Sequence, residues 1–223
     1  ADKFVCIPNG IDPQEWSGEP AALEPEILEF IHKQRSLGRL VVGYAGSHGV
    51  PNALNTLLDA ALLLKDAKLA FVLVGDGHEK AALQARVLDL GLKNVAMFPP
   101  VPKRQIPGFL SAVDIAYIGW QKVPIYRFGI APNKLMDYMM AGCAVLHSVE
   151  AGNDPVAEAG CGLTVAPADS QAVANGLLQL EQLTPSQRQE MGRRGHEYVV
   201  KHHVYPVLAR RFISAIENAF SAR

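Results

Sequence analysis

"LVVGYAGSHGVPNALNTLLDAALLLKDAKLAFVLVG", residues 40–75, decides the architecture. Two short apolar runs, 40–46 and 69–75, read as strands. Between them Leu54, Leu57, Leu58 and Ala61 fall on one face of an amphipathic helix over 53–65. Strand, helix, strand in that order is a βαβ unit, the building block of a parallel sheet. Its crossover is right-handed, and repeated units place helices on both sheet faces.

The alternation continues downstream. A helix over 78–91, stopped by Gly91, is followed by a strand at 94–98, a short helix at 105–113 and a strand at 114–119. After a loop come a helix at 133–141, a strand at 144–149, a helix at 154–160, a strand at 162–166 and a helix at 170–183. Two terminal helices close the chain, roughly 185–201 and 207–221, the second with Leu208, Phe212, Ile216 and Phe220 in register. Upstream, "EPAALEPE" (19–26) reads as a loop leading into a helix. The expected fold is α/β: one open parallel sheet with helices on both faces, in a single domain over 1–223. In such sheets ligands bind beyond the carboxyl ends of the strands, so the strand-to-helix loops are where chemistry is sought.

Composition narrows the function classes. The 223 residues are 49% hydrophobic and 19% charged, with net charge −1. That length fills a core, and the near-neutral balance argues against bulk electrostatic binding to nucleic acid. No apolar run is long enough to span a bilayer, and no signal peptide opens the chain. Cys6, Cys143 and Cys161 are widely spaced without a CxxC, which predicts buried thiols in a reducing, cytoplasmic compartment. His202 and His203 have no acid or Cys at ligand spacing, so no metal is expected. The opening "ADKFVCIPNGIDPQEW" lacks a methionine and enters an apolar run at once, as a piece of a longer protein would.

Four loops lie at the expected ligand edge. "GYAGSHGVPN" (43–52) places Gly43, Gly46 and Gly49 after the first strand, where they permit a tight turn and close backbone approach to a ligand. "GDGHE" (75–79) offers Gly75 and Gly77 in the same way. "FPPVPKRQ" (98–105) has stiff prolines able to form a slot for a flat base, with Val101 presenting backbone hydrogen bonds. Each also reads as a plain structural turn. "YRFGIAPNKLMDYMMAGCAVL" (126–146) says more. Leu135, Met136, Met139 and Met140 recur at helical spacing, Pro132 fixes the entry, and Asn133 is a good N-cap residue. The free amides of the first turn make an anion site, and Lys134 adds a charge beside them. Asp137 follows on the same face, where a carboxylate can accept hydrogen bonds from a ribose diol. The bland alternative is a surface Lys134–Asp137 pair worth roughly a few tenths of a kcal/mol.

"IPNGID" (7–12), "YAGSHG", "LVGDGHEKAALQ", "PNKLMDYMMAG" and "NDPVAEAGCGLTVAPAD" occur in one order. Together they resemble the C-terminal, donor-binding half of a GT-B glycosyltransferase of the retaining family 4 type, also called glycosyl transferases group 1. Within that family they are most similar to bacterial polysaccharide enzymes akin to the fucosamine transferase of O-antigen synthesis. The resemblance implies a Rossmann-like half of a GT-B fold, with the acceptor-binding N-terminal half absent from this chain. It implies retaining transfer from a nucleotide-diphosphate sugar, most simply a UDP-sugar, to a lipid-linked or saccharide acceptor. The expected setting is cytoplasmic, with the full-length protein associated peripherally with the inner face of the membrane. By position, Asp137 would hold the donor ribose and the amides of Asn133 and Lys134 the diphosphate. Gly46 and Ser47 would line the loop under the diphosphate and Val101 the base; Gly77, read from its own glycine loop, is a further candidate nucleotide contact. A sugar-nucleotide 2-epimerase and a non-catalytic nucleotide-binding domain are the alternatives.

The chain departs from the family pattern at three positions. The first of the family's two acidic residues falls on Gly129, the usual Arg on Ser47 and the usual Lys on Asn52. Lys134 is the obvious compensating charge and the best candidate for stabilising the leaving diphosphate, with Arg127 and His48 as weaker ones.

Overall fold

In the computed structural model, residues 4–221 are described; residues 1–3 and 222–223 of the expected domain lie outside them. Helices and strands alternate as far as α7, and two further helices close the chain. They are α1 (Pro25–Ser36), β1 (Leu40–Ala45), α2 (Leu54–Leu63), β2 (Leu69–Val74), α3 (Lys80–Asp89), β3 (Val95–Phe98), α4 (Ile106–Ser111), β4 (Ile115–Gly119), α5 (Asn133–Met140), β5 (Ala144–Ser148), α6 (Pro155–Ala159), β6 (Gly162–Val165), α7 (Ser170–Gln182), α8 (Pro185–His202) and α9 (Tyr205–Ser221). The strands form one six-stranded sheet in the order β3-β2-β1-β4-β5-β6, with every pairing parallel. This is the Rossmann-like arrangement, with its topological switch point between β1 and β4.

Both faces of the sheet are covered, which is why its strands read as near-continuous apolar runs. Alternate residues serve opposite sides. Val41, Val72, Ala116 and Val145 pack with Ile27 and Ile31 of α1, Phe109 of α4, Leu135 and Met139 of α5, and Val199 of α8. Val42, Phe71, Ile115 and Leu146 pack with Leu54, Leu57 and Leu58 of α2, Leu83 of α3, and Val173 and Leu177 of α7.

One expectation about burial is corrected. Cys143 and Cys161 are buried, but Cys6 is exposed. In α9 only Leu208 of the apolar register is buried; Phe212, Ile216 and Phe220 stay exposed, since no element of the described chain lies over them. Among the described residues no helix is long and apolar enough to cross a membrane.

Candidate functional site

The site begins where two strands part. β1 pairs with β2 as far as Ala45↔Val74, but its ladder to β4 consists of Val42↔Ile115 and Gly43↔Ala116. Beyond Gly43 the strand ends separate, and the peptide groups of Ala45 lose a strand partner. Tyr138 supplies one. The Ala45 N–H donates to the Tyr138 hydroxyl at 2.9 Å, and that hydroxyl donates to the Ala45 carbonyl at 3.1 Å. Tyr138 is fully buried, where a phenol needs such a partner. With Leu135, Met136, Met139 and Met140 also buried, α5 is held with its first turn facing the loop that follows β1.

The parted edge opens onto a cavity of about 580 Å³. Gly46, Ser47, Val101, Asn133, Lys134 and Asp137, all expected from the sequence, line it. Gly77 does not: a Cβ there would stand 2.4 Å from the His48 carbonyl oxygen, so the residue packs behind the wall. Gly75 and Asp76 line the cavity in its place. Gly75 is obligatory, because a Cβ on it would lie 1.8 Å from the Gly46 carbonyl oxygen. Pro100, one of the prolines expected to form a slot, lines the cavity as well, while sequence reasoning missed Trp120; a bulky aromatic directly after a strand at the ligand edge was the available signal.

The positive side of the cavity is the start of α5. Pro132, not Asn133, is the capping residue; Asn133 is the first helical residue and makes no side-chain cap. The first-turn amides have no intrahelical acceptor and carry the positive end of the helix dipole. The Lys134 ammonium lies beside them, donating to the Tyr44 hydroxyl at 3.2 Å and to Asn52 Oδ1. Burial pushes its pKa down to about 8. Asp137 makes no ion pair with it: among the described residues its carboxylate accepts no hydrogen bond and joins no salt bridge. The bland surface pair is therefore not formed. Asp137 sits where the main cavity meets a smaller one of about 280 Å³, walled by Trp16, Ile106 and Pro107 with Glu15 and Lys103. Burial raises its pKa to about 6, against the opposing pull of Lys103.

The weaker cation candidates do not reach the cavity. His48 is fully buried and its pKa is pushed down to about 4 by burial and then by Lys80, so it is neutral at ordinary pH. Arg127 lines a different cavity of about 620 Å³ with Lys122 and Glu150, and its guanidinium stacks 4.7 Å from the Phe128 ring centroid. Gly129 has φ +111°, and a Cβ there would lie 3.2 Å from Asn153 Oδ1. That oxygen accepts from the Ile130 N–H at 2.7 Å while Asn153 Nδ2 donates to the Ile130 carbonyl at 3.0 Å. The Gly152 N–H donates to the Tyr126 carbonyl, closing the loop from the other side. Among the described residues no three His, Cys, Asp or Glu side chains gather as a metal site.

Residues 39–182 match the model of a family described as glycosyl transferases group 1. Among curated proteins, the 2-deoxystreptamine glucosyltransferase of Streptomyces kanamyceticus is 29% identical over 112 residues, 49% of this chain and 28% of that protein. The putative colanic acid biosynthesis glycosyl transferase WcaI of Escherichia coli K12 is 27% identical over 111 residues, 50% of this chain and 27% of that protein. Among solved structures, sucrose-phosphate synthase of Thermosynechococcus elongatus superposes with TM-score 0.74 at 19% identity, over 97% of this chain and 53% of that one. HepE of Anabaena, solved in complex with UDP and glucose, gives 0.69 at 17%, over 94% and 55%. The chain thus spans about half the length of these structures, and the likeness at such identities is one of fold.

Proposed function

We propose, from the premise that the chain belongs to the glycosyl transferases group 1 family, that it is the donor-binding half of a GT-B enzyme that transfers a sugar from a nucleoside diphosphate with retained configuration. One observation carries this reading: a cation without a carboxylate partner and a carboxylate without a donor face one cavity, at a helix start on the switch point of the sheet. The amides of Asn133 and Lys134 with the Lys134 ammonium suit a diphosphate. Asp137 suits the ribose diol one turn deeper. Pro100 and Val101 form the wall for the base, and the peptides of Gly46 and Ser47 lie under the phosphates.

Chemically, the site stabilises negative charge developing on the leaving diphosphate. Preorganised amides and an ammonium do so best in a cavity partly shielded from water. The acceptor belongs to the N-terminal half of the full-length protein, and closure of the two halves assembles the reacting geometry. The complex of HepE with UDP and glucose supports a UDP-sugar as donor. The relative WcaI, named for colanic acid biosynthesis, supports a place in bacterial polysaccharide synthesis; a saccharide or lipid-linked acceptor at the cytoplasmic face of the membrane is part of the same reading.

A thermal-shift screen against UDP, GDP, ADP and CMP tests the donor class. Transfer of a radiolabelled sugar by the full-length protein, with the product anomer read by NMR, separates a retaining transferase from an epimerase and from a non-catalytic binding domain.

A further inference from the structure

The hydrogen bonds around Lys134 form a closed ring with a fixed sense. The Ser47 carbonyl accepts from the Tyr44 hydroxyl at 2.7 Å and from Asn52 Nδ2 at 2.8 Å. The first bond uses the only proton of the phenol; the second orients the amide. Each side chain is left with an oxygen lone pair to offer, and the Lys134 ammonium donates to both. It also lies 5.0 Å from the centroid of the Tyr44 ring. Tyr44 is fully buried in β1 and cannot swing away. An ammonium has three donors, and this ring occupies two. The ammonium lies 3.4 Å from where a Cβ on the cavity-lining Gly46 would stand.

Neither ring partner carries a charge. A carboxylate in the place of Asn52 would hold the cation as well but would neutralise it and compete with any anionic ligand. Neutral acceptors orient the charge without consuming it.

We propose that Tyr44 and Asn52 are positioning residues, a neutral cradle that fixes the Lys134 ammonium beside Gly46 and reserves its third N–H and its charge for the diphosphate of the donor nucleotide. This rests on reading the cavity as a nucleoside diphosphate site, and two measurements on the same proteins keep the two ideas apart. The first is the titration of Lys134 in the ligand-free protein, followed by NMR of its ¹³Cε. The second is the affinity for UDP and for uridine by calorimetry.

Asn52→Asp is the decisive variant, since it keeps the shape and adds the charge. Lys134 should titrate about one pH unit or more higher. UDP affinity at pH 7 should fall about tenfold or more, while uridine affinity changes less than about twofold. Tyr44→Phe removes one acceptor without adding charge and should weaken UDP more than uridine. An unchanged Lys134 titration in Asn52→Asp overturns the cradle, as does an equal loss of UDP and uridine affinity in both variants. If the titration shifts as expected but the unaltered protein binds no nucleoside diphosphate, the cradle stands as the holder of the ammonium and the diphosphate reading falls.

Discussion

Replacing Asp137 by Asn should strengthen the fold and weaken the ligand together. Among the described residues the carboxylate has no hydrogen-bond donor, and burial lifts its pKa from 3.8 to about 6. A shift of that size corresponds to roughly 3 kcal/mol of unfavourable burial once the group is ionised. Residual solvent contact makes this an upper limit. The sign follows from the two states. The folded carboxyl keeps its proton up to about pH 6 and the unfolded one only to about pH 4. The penalty is therefore complete above about pH 6, shrinks as pH falls toward 4, and vanishes below. Asn has the same shape and no charge to bury. At pH 7.5 the variant should gain about 1–3 kcal/mol, which at this chain length is about 2–4 °C in melting temperature per kcal/mol. At pH 4 the gain should be near zero. UDP affinity should fall by about 1.5–3 kcal/mol, the range for a hydrogen bond to a charged group. Calorimetric melting at both pH values and a UDP titration read all three. A variant no more stable at pH 7.5, or a gain of equal size at pH 4, would refute the claim that an unpaired, desolvated carboxylate waits in the cavity.

Lys134→Met should reduce UDP affinity far more than uridine affinity, and the difference should narrow as salt rises. In the unaltered protein UDP affinity should decline above about pH 8, where the lysine loses its proton; a flat profile to pH 9.5 would contradict this. Tyr138→Phe leaves the Ala45 N–H and carbonyl without their partner, and should cost about 1–3 kcal/mol for each buried group; a thermally neutral variant would show that the strand ends close up instead. Nucleotide binding should survive EDTA, because the helix start and Lys134 supply the positive charge; a requirement for magnesium would mean the charge assignment is wrong. The 223-residue chain should fold and bind nucleotide without transferring sugar, so transfer at the rate of the full-length protein would refute the two-half reading.

The sheet was legible because both of its faces are buried: strands such as Leu69–Val74 are apolar throughout, and the helices between them keep one clean face. α5 was legible for the same reason, and its proline marked its start within one residue. What escaped depends on contacts between distant residues. The phenol of Tyr138 meets Ala45, and the amide of Asn52 meets Lys134, across most of the parallel sheet's sequence. No local pattern announces either. Asn133 reads as a cap because its residue type favours that role, yet the chain places Pro132 there. Gly77 reads as a cavity residue from its loop, but the structure packs it against the backbone of His48.

The loop around Gly129 bears on how this sequence can change. The resemblance read from the sequence would put an acid at that position, and introducing one there meets two obstacles. A side chain there meets the φ of +111° and the Asn153 amide together. Removing Asn153 first would unfasten Ile130 without yielding a carboxylate. Removing Asn153 clears the space but not the φ, so a side chain at position 129 stays strained either way. Gly129 thus holds the loop in a shape that Asn153 fastens, and a change at either position is expected to cost stability on its own.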